Sequence, residues 1–445
     1  MLERLWTWMK AEDTRAEGDP RAPWRLFWVA FAIRVLYMTL AHTYRIRPFV
    51  DHFQFGWESG RIARSLVTGH GYGNPFAPSY LGPTGPTAWL PPVYPLLVAA
   101  VFKLFGIYTN ASAWVILAIN CAFSSATALA VWEMAYRCIS RRNAVWSAWI
   151  WALYPAAMQY AVRWIWEMTL TTFLFAWVLV LALRLRAINV QASSKETSPK
   201  NPTLLWLLFG LLWGLIALSN SSLLLFLPVC GVWILMGTWS QPHSLRNAIA
   251  GALVFLACIA PWEIRNYIVF HHFIPLRSNL GVEASLGNGP GSNGLLLSYD
   301  HPNLSVEQFR LYVAMGEVRY TAMRGEVARA YIHAYPAHFL ADTLKRIHFY
   351  WVSVPTDNSL MHELPRDVNH CAISLAGLFG LALAISRRVP ASWLFAWAFL
   401  LLPLPYYLVI VHARFRHPLE PIITILGVFL FQSATPRSST TLNNA

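Results

Sequence analysis

Ten long apolar runs constrain this chain more than any other feature. They lie near residues 26–43, 111–136, 144–162, 168–185, 203–219, 222–238, 247–262, 369–386, 390–411 and 418–432. A helix needs about 20 apolar residues to cross a bilayer. In lipid every backbone polar group must find its partner inside the protein, so repeated runs of this kind call for helices. The expected fold class is an all-α polytopic membrane protein. Composition agrees: 12% of the residues are charged, where a soluble domain carries about 25%. The formal charge of +13 is explained by Lys and Arg gathered in cytoplasmic loops, and nucleic acid is not an expected partner. The five cysteines, Cys121, Cys138, Cys230, Cys258 and Cys371, fall in or at the ends of apolar runs without metal-ligand spacing. They read as small apolar fillers.

A shorter piece, PPVYPLLVAAVFKLFG (Pro91–Gly106), lies between the first two runs. Its apolar part is too short to span and reads as an interfacial helix. With it left outside the count, Arg137, Arg141 and Arg142, then Arg184 and Arg186, Arg246, and Arg387 and Arg388 all fall on one side, as the positive-inside rule requires. The count becomes ten transmembrane helices with both ends inside. The first run follows a charged stretch and shows no small-x-small cleavage site, so a retained signal anchor is expected. The division expected is an N-terminal transmembrane module, 1–262, with a first outer loop at 44–110. A large outer loop region, 263–368, and C-terminal helices with a polar tail, 369–445, complete it. The outer (periplasmic or extracytoplasmic) loops are expected to carry interfacial helices. One should start at Ser305, where Ser305 and Gln308 have capping-box spacing.

Acidic residues are scarce, 21 Asp+Glu against 34 Lys+Arg, yet DHFQFGWESGRIARSL (Asp51–Leu66) places two of them just after the first run. Asp51 and Glu58 are close to two helical turns apart. Glu58 lies on the apolar stripe with Phe55 and Ile62, where burial would raise its pKa. An ion pair with Arg61 would serve structure alone. Glu167 lies in the short loop RWIWEM, one turn after Arg163, either paired with it or facing an outer cavity. Arg265 in PWEIRNY, after a Pro-Trp helix break, and Arg414 in HARFRHPLEP sit at expected outer helix ends. Guanidinium groups there suit phosphate oxygens, although any single one is as well explained by snorkelling to headgroups. The tract YLGPTGPTAWLPPVYP (Tyr80–Pro95) cannot be helical before Pro92 and reads as a rigid loop or a lid. LGNGPGSNG (Leu286–Gly294) reads as a turn, and His271–His272 lacks zinc-site spacing.

In the order of these motifs the chain resembles the GT-C glycosyltransferases that use polyprenyl-phosphate sugars, among them the protein O-mannosyltransferases and the lipid A aminoarabinose transferases. The resemblance rests on the acidic first outer loop with IARSLVTGHGYG, then PPVYPLL…KLFG, the acidic second outer loop, PWEIRNY, and RFRHPLEP before the last helix. It implies an integral membrane enzyme of the bacterial inner (plasma) membrane with its active site facing outside. A sugar would pass from a polyprenyl-phosphate donor to a lipid, glycan or protein acceptor by inverting attack. A first-loop carboxylate would be the base: Asp51 is the first candidate, nearest the end of the first run in the family-like position, and Glu58 the second. The family often has two adjacent acids after the Asp51 position, and this chain does not. Glu167 would be the second-loop acid. Tyr94, Arg265, Asn266, Arg414 and His417 are the substrate-binding candidates within the matching motifs. No cofactor is certain; a divalent metal is compatible with the sequence but not indicated by it.

Two other classes fit a polytopic chain. A lipid-linked-sugar flippase or transporter would carry charged or broken helices at mid-membrane, and Arg34 in the first run is the main such charge. A non-catalytic envelope assembly factor would tolerate loss of every outer carboxylate.

Overall fold

The structure is a computed structural model that describes residues 21–45, 55–76, 83–191, 201–295, 300–355 and 360–434. The described residues are helical apart from turns and one isolated antiparallel bridge, Gly73 to Pro86. The protein is an all-α polytopic membrane protein. Among the described residues five helices, not ten, are long and apolar enough to cross a membrane: Asn110–Cys138, Met168–Leu185, Ser221–Thr238, Ser244–Phe270 and Leu364–Ser386. The other expected spans fall short for local reasons. Ala22–Leu40 contains Arg25 and Arg34. The 144–162 run is divided by Pro155 into Arg141–Leu153 and Pro155–Val162. Pro202–Ala217 has 16 residues. The 390–411 run breaks around Pro403 into Ser392–Leu401 and Leu404–Leu408. The last run yields Glu420–Ser433, 14 residues, because HARFRHPL before it winds as a 3-10 turn. Val93–Phe105, with Pro92 at its N-cap, has 13 residues, a length of about 20 Å.

Pro155 leaves a debt in the bundle that Arg34 settles. In a continuous helix the Trp151 carbonyl would accept from residue 155, which here has no N–H. Arg34 Nη2 donates to the Trp151 carbonyl at 3.1 Å, and Nη1 donates to that of Ala152 at 2.9 Å. Nη1 also donates to Ala30 O at 3.2 Å, and Nε to Ser124 Oγ at 3.1 Å. The buried charge of the first helix is thus occupied as a backbone donor, which removes the main sequence argument for a transport pathway. Elsewhere small residues set helix distance. A Cβ on Gly210 would lie 1.9 Å from Gly251 O, and one on Gly251 would lie 2.6 Å from Trp206 O. Pro202–Ala217 and Ser244–Phe270 therefore meet backbone to backbone.

The main apolar core is made by the long helices. Three smaller clusters lie in the segments around 72–93, 262–320 and 350–411. One joins Phe76 and Trp89 to Val282, Leu286, Phe309, Tyr312 and Tyr320, and another joins Ala88 to Trp262, Ile274 and Leu276. A third is built on Tyr350, Tyr406 and Val411. The tract after Gly71 is gripped from two sides. The Glu317 carboxylate accepts from Thr87 Oγ1, the Ala88 N–H (2.7 Å), Ser278 Oγ (2.7 Å) and the Tyr312 hydroxyl (2.7 Å). Arg265 donates to the carbonyls of Thr87 (2.7 Å) and Tyr72 (2.8 Å).

Several local expectations meet their outcome here. Ser305 does start a helix, Val306–Met315, and its Oγ accepts from the Gln308 N–H at 3.2 Å. Gln308 does not close the box, since its side chain accepts from the Tyr320 hydroxyl. Pro261-Trp262 does not break its helix, which continues to Phe270. The helix of the first loop begins at Glu58, after a turn in which Gly56 and Trp57 have φ of 74° and 50°. The two first-loop acids therefore do not share one helix, and Asp51 lies outside the described residues. So do 192–200 of the expected inner loop and 435–445 of the polar tail.

Arg34→Leu is expected to lower stability by at least about 2 kcal/mol, because buried carbonyls lose their donors at about 1–3 kcal/mol each. Pro155→Ala in that background restores an N–H for Trp151 O and should recover part of the loss. Thermal unfolding in detergent measures both, and an unchanged melting temperature for Arg34→Leu would contradict the account.

Candidate functional site

A cavity of about 340 Å³ opens where the loop-built clusters meet the bundle. Its acids are Glu58, Glu167 and Glu283, and its guanidinium groups are Arg277 and Arg414. Trp57, Trp89, Trp164, Trp166, Tyr406 and Phe415 supply aromatic wall, and Asn220, Ser222 and Asn279 supply neutral polar groups. His301 and His412 complete the polar lining.

Glu58 is the first residue of the helix Glu58–Val67, and its side chain is only 12% exposed. The Asn303 amide donates to Glu58 Oε1 and accepts from Arg61 Nη1. Asn303 thus stands between the two residues expected to pair. His301 Nε2 lies 3.8 Å from the same Oε1. Burial pushes the Glu58 carboxyl up from 4.5 to about 7, and Glu283 adds to the rise. A hydrogen bond from its own backbone N–H, Arg61 and Arg414 pull the other way. Burial raises Glu283 as well, opposed by Arg277, Arg414 and a 3.0 Å hydrogen bond from Asn279. His301 and His412 are held neutral: burial pushes both down to about 3, helped by Arg61 and Arg324 at the first and by Arg414 at the second.

Arg414 lies over Trp166, 3.7 Å from guanidinium carbon to ring centre. Trp166 stacks on Trp164 at 5.2 Å, and Phe415 stacks on Tyr406 at 4.3 Å. Arg414 Nε is buried with no hydrogen-bond partner among the described residues. Arg277 Nε donates to Asn279 Oδ1. Among the described residues no group of three His, Cys, Asp or Glu side chains is placed to hold a metal ion. The arrangement combines an acid that titrates near neutrality, a cation resting on an indole face, and flat aromatic walls. It can take a proton, hold an anion and stack against the C–H face of a sugar ring.

The cavity brings Glu58, Glu167 and Arg414 together. Glu167 does not pair with Arg163: the helix ends at Val162, the next starts at Met168, and Arg163 lines a different cavity with Arg45 and Ile165. Arg265 is not in the lining. Besides holding two carbonyls it donates to Asn266 Oδ1 at 2.9 Å and lies within a cage of Tyr72, Trp262 and Phe270. Asn266 is buried beside it. The Tyr94 hydroxyl accepts from Asn120 within the main core. His417 is buried against Trp151 and Tyr160. Sequence reasoning missed Arg277, Glu283, His301, Asn303 and His412. Only Glu283 had a local signal, since Asn279 is a good N-cap residue type directly before the helix Leu280–Gly287.

No family model matches the chain, and no curated protein does. Among solved structures it is similar to ArnT from Cupriavidus metallidurans bound to undecaprenyl phosphate, at 13% identity and a TM-score of 0.51, over 94% of this chain and 62% of that one. It is similar also to the apo Archaeoglobus fulgidus oligosaccharyltransferase, at 14% identity and 0.51, over 93% and 51%. The same protein tethered to an acceptor peptide matches at 14% and 0.51, over 93% and 50%. The likeness is one of fold: the chain shares the fold of these structures. It spans between 50% and 62% of the length of these structures.

A carboxyl whose folded pKa is raised stabilises most below its ordinary pKa, and that contribution is lost as pH rises through the folded value. For Glu58 the window runs from 4.5 to about 7. Glu58→Gln cannot ionise, so it is expected to melt with wild type at pH 4 and above it at pH 8. A melting difference that does not change between those pH values would remove the buried-acid assignment.

Proposed function

We propose that this protein is an integral-membrane glycosyltransferase that moves a sugar from a polyprenyl-phosphate donor to a lipid, glycan or protein acceptor. The observation that carries the reading is Arg414. It is held on Trp166, without a hydrogen-bond partner at Nε among the described residues, in the same cavity as the buried carboxyl of Glu58. The fold shared with a protein bound to undecaprenyl phosphate supports it, as do the aromatic walls.

In the reaction, the acceptor hydroxyl oxygen attacks the anomeric carbon from the face opposite the phosphate. The new glycosidic bond forms as the carbon–oxygen bond to phosphate breaks, so the configuration inverts. The hydroxyl proton passes to the carboxylate base, and the bond electrons leave with the lipid phosphate. Asp51 and Glu58 are the candidates for the base. Glu58 is the one whose surroundings support the role, because a base titrating near 7 is matched to work near neutral pH. Arg414 and Arg277 stabilise the charge that develops on the phosphate. Glu167 orients acceptor or donor. Arg265, which also donates to Asn266 Oδ1, contributes by holding the carbonyls of Tyr72 and Thr87, and Tyr94 and His417 support the site from the core. The donor's isoprenoid tail stays in the bilayer. The proposed topology has ten crossings, the shorter helices included. The cavity faces the outside of a bacterial inner membrane, and the modules are 1–262, 263–368 and 369–445.

With purified protein and a panel of polyprenyl-phosphate sugars, Glu58→Gln is expected to lower kcat by about 10²–10⁴-fold with donor binding retained. Arg414→Ala should weaken donor binding, and Arg414→Lys should rescue poorly because it lacks the paired donors of a guanidinium. Near-normal turnover in the Asp51→Asn, Glu58→Gln double variant would eliminate the first-loop base.

Topology has its own test. Cysteine at Ala111 is expected to react with an impermeant reagent from outside the cell, and cysteine at Arg142 is not. The reverse pattern would put the cavity on the other face.

A further inference from the structure

We propose that His301 and Asn303, in the large loop region, are positioning residues that orient Glu58 for proton transfer. The inference rests on the transferase reading above and adds to it the group that aims the base.

Asn303 uses both ends of its amide. Its Oδ1 accepts from Arg61 Nη1, and a guanidinium has only donors to offer. That contact fixes which end of the amide faces which neighbour and turns Nδ2 toward Glu58 Oε1. The Asn303 backbone N–H donates to His301 Nδ1 at 3.1 Å. Nδ1 is therefore the acceptor nitrogen, and the neutral ring carries its proton on Nε2. Nε2 is the atom 3.8 Å from Glu58 Oε1, beyond hydrogen-bond length in the unliganded site but within reach as catalytic contacts tighten around substrate. Two donors thus converge on Oε1. Oε2 is the oxygen left to take the acceptor proton.

The loop is built to hold this aim. Trp57, Phe76 and Trp89 surround the His301 ring at 6.2, 5.6 and 5.8 Å. Asp300 pairs with Arg324 at 3.0 Å, and Arg324 Nε donates to Ser285 Oγ at 2.9 Å. Ser305 caps the next helix. The arrangement repeats the logic of a catalytic base oriented by a third group. It comes from a segment more than 240 residues away in the chain. The charged and titratable groups around Glu58 are Arg61 on its own helix, His301, Glu283 on Leu280–Gly287 and Arg414 on the 3-10 turn. Arg277, Glu167 and His412 share the cavity.

A donor to the carboxylate favours its ionised form, so removing it raises the pKa of Glu58 and moves the acid limb of the rate profile upward. The test uses full-length protein labelled with ¹³C-glutamate. The Glu58 carboxyl is titrated by infrared difference against Glu58→Gln, and kcat and donor KM are measured across pH. Asn303→Ala is expected to move both titration and acid limb up by about one pH unit, or about 1.4 kcal/mol. At pH 7 kcat should fall about fivefold with donor KM unchanged, because the ionised fraction drops from about one half to about one tenth. The isosteric Asn303→Asp guards against a packing defect. It should move the titration further, because it places a second acid beside the first. His301→Gln, which keeps an N–H donor, should retain more activity than His301→Phe. An unmoved Glu58 titration in Asn303→Asp would overturn the proposal, as would a moved titration with unchanged kcat. The infrared readout does not depend on turnover. Failure of the base assignment, seen as activity in the Asp51→Asn, Glu58→Gln variant, is therefore separate from failure of this inference.

Discussion

A buried carboxylate with four hydrogen bonds, Glu317, ties the two loop segments of this protein together. The Tyr72–Trp89 tract contains Pro83 and Pro86 and is followed by Pro91 and Pro92. Proline offers no N–H, so such a stretch holds itself by few backbone bonds of its own, among them Asn74 N–H to Gly85 O at 2.8 Å and Thr87 N–H to Tyr72 O at 3.2 Å. Glu317 collects the donors at Thr87 and Ala88, and Arg265 collects the carbonyls at Thr87 and Tyr72. Hydrogen bonds to a charged group are each worth about 1.5–3 kcal/mol. Removing either charge would leave several buried partners unsatisfied at once. Trp89 and Leu90, which wall the cavity, are carried by the backbone so fixed.

The same device recurs wherever the backbone runs short of partners. Arg34 serves the carbonyls released at Pro155. Arg346 donates to the carbonyls of Gly287, Gly294 and Tyr407 and to Asn288 Oδ1, and so joins the glycine-rich turn to the 405–410 segment. Arg416 is committed to Glu420 at 2.6 Å and to Ser374. Against this background Arg414 stands apart. Of the two guanidinium groups in the cavity, Arg277 is bonded to the Asn279 amide oxygen, whereas among the described residues Arg414 is held by aromatic faces. The distinction separates arginines that build the scaffold from one that can meet a ligand.

That separation explains what could be read in the sequence. Apolar runs revealed the helical membrane class, because lipid leaves few other structures open. Glu58 was visible as an acid on an apolar stripe, and Glu167 as an acid between aromatics. Both reach the cavity. Arg265 and Arg414 looked alike as cations at helix ends, and both rest on rings, yet only Arg265 is also tied to backbone carbonyls. No local pattern encodes that difference, since the carbonyls belong to residues 178 and 193 positions away. Glu283, His301 and Asn303 act through contacts of similar range. That only five of the ten runs form single long helices has a different reason. A run of apolar residues records burial in lipid but not continuity of the helix, and Pro155 and Pro403 interrupt runs whose composition is uniform.

The stack of Arg414 on Trp166 has an optical consequence. An indole's emission responds to the electric field across its ring, and a guanidinium 3.7 Å from the ring centre is a large part of that field. An anion that draws Arg414 off the ring changes the colour and yield of Trp166 fluorescence. The chain has 22 tryptophans, so the signal is the part that disappears in Trp166→Phe. The site carries its own dye, fixed to the cation and in need of no label.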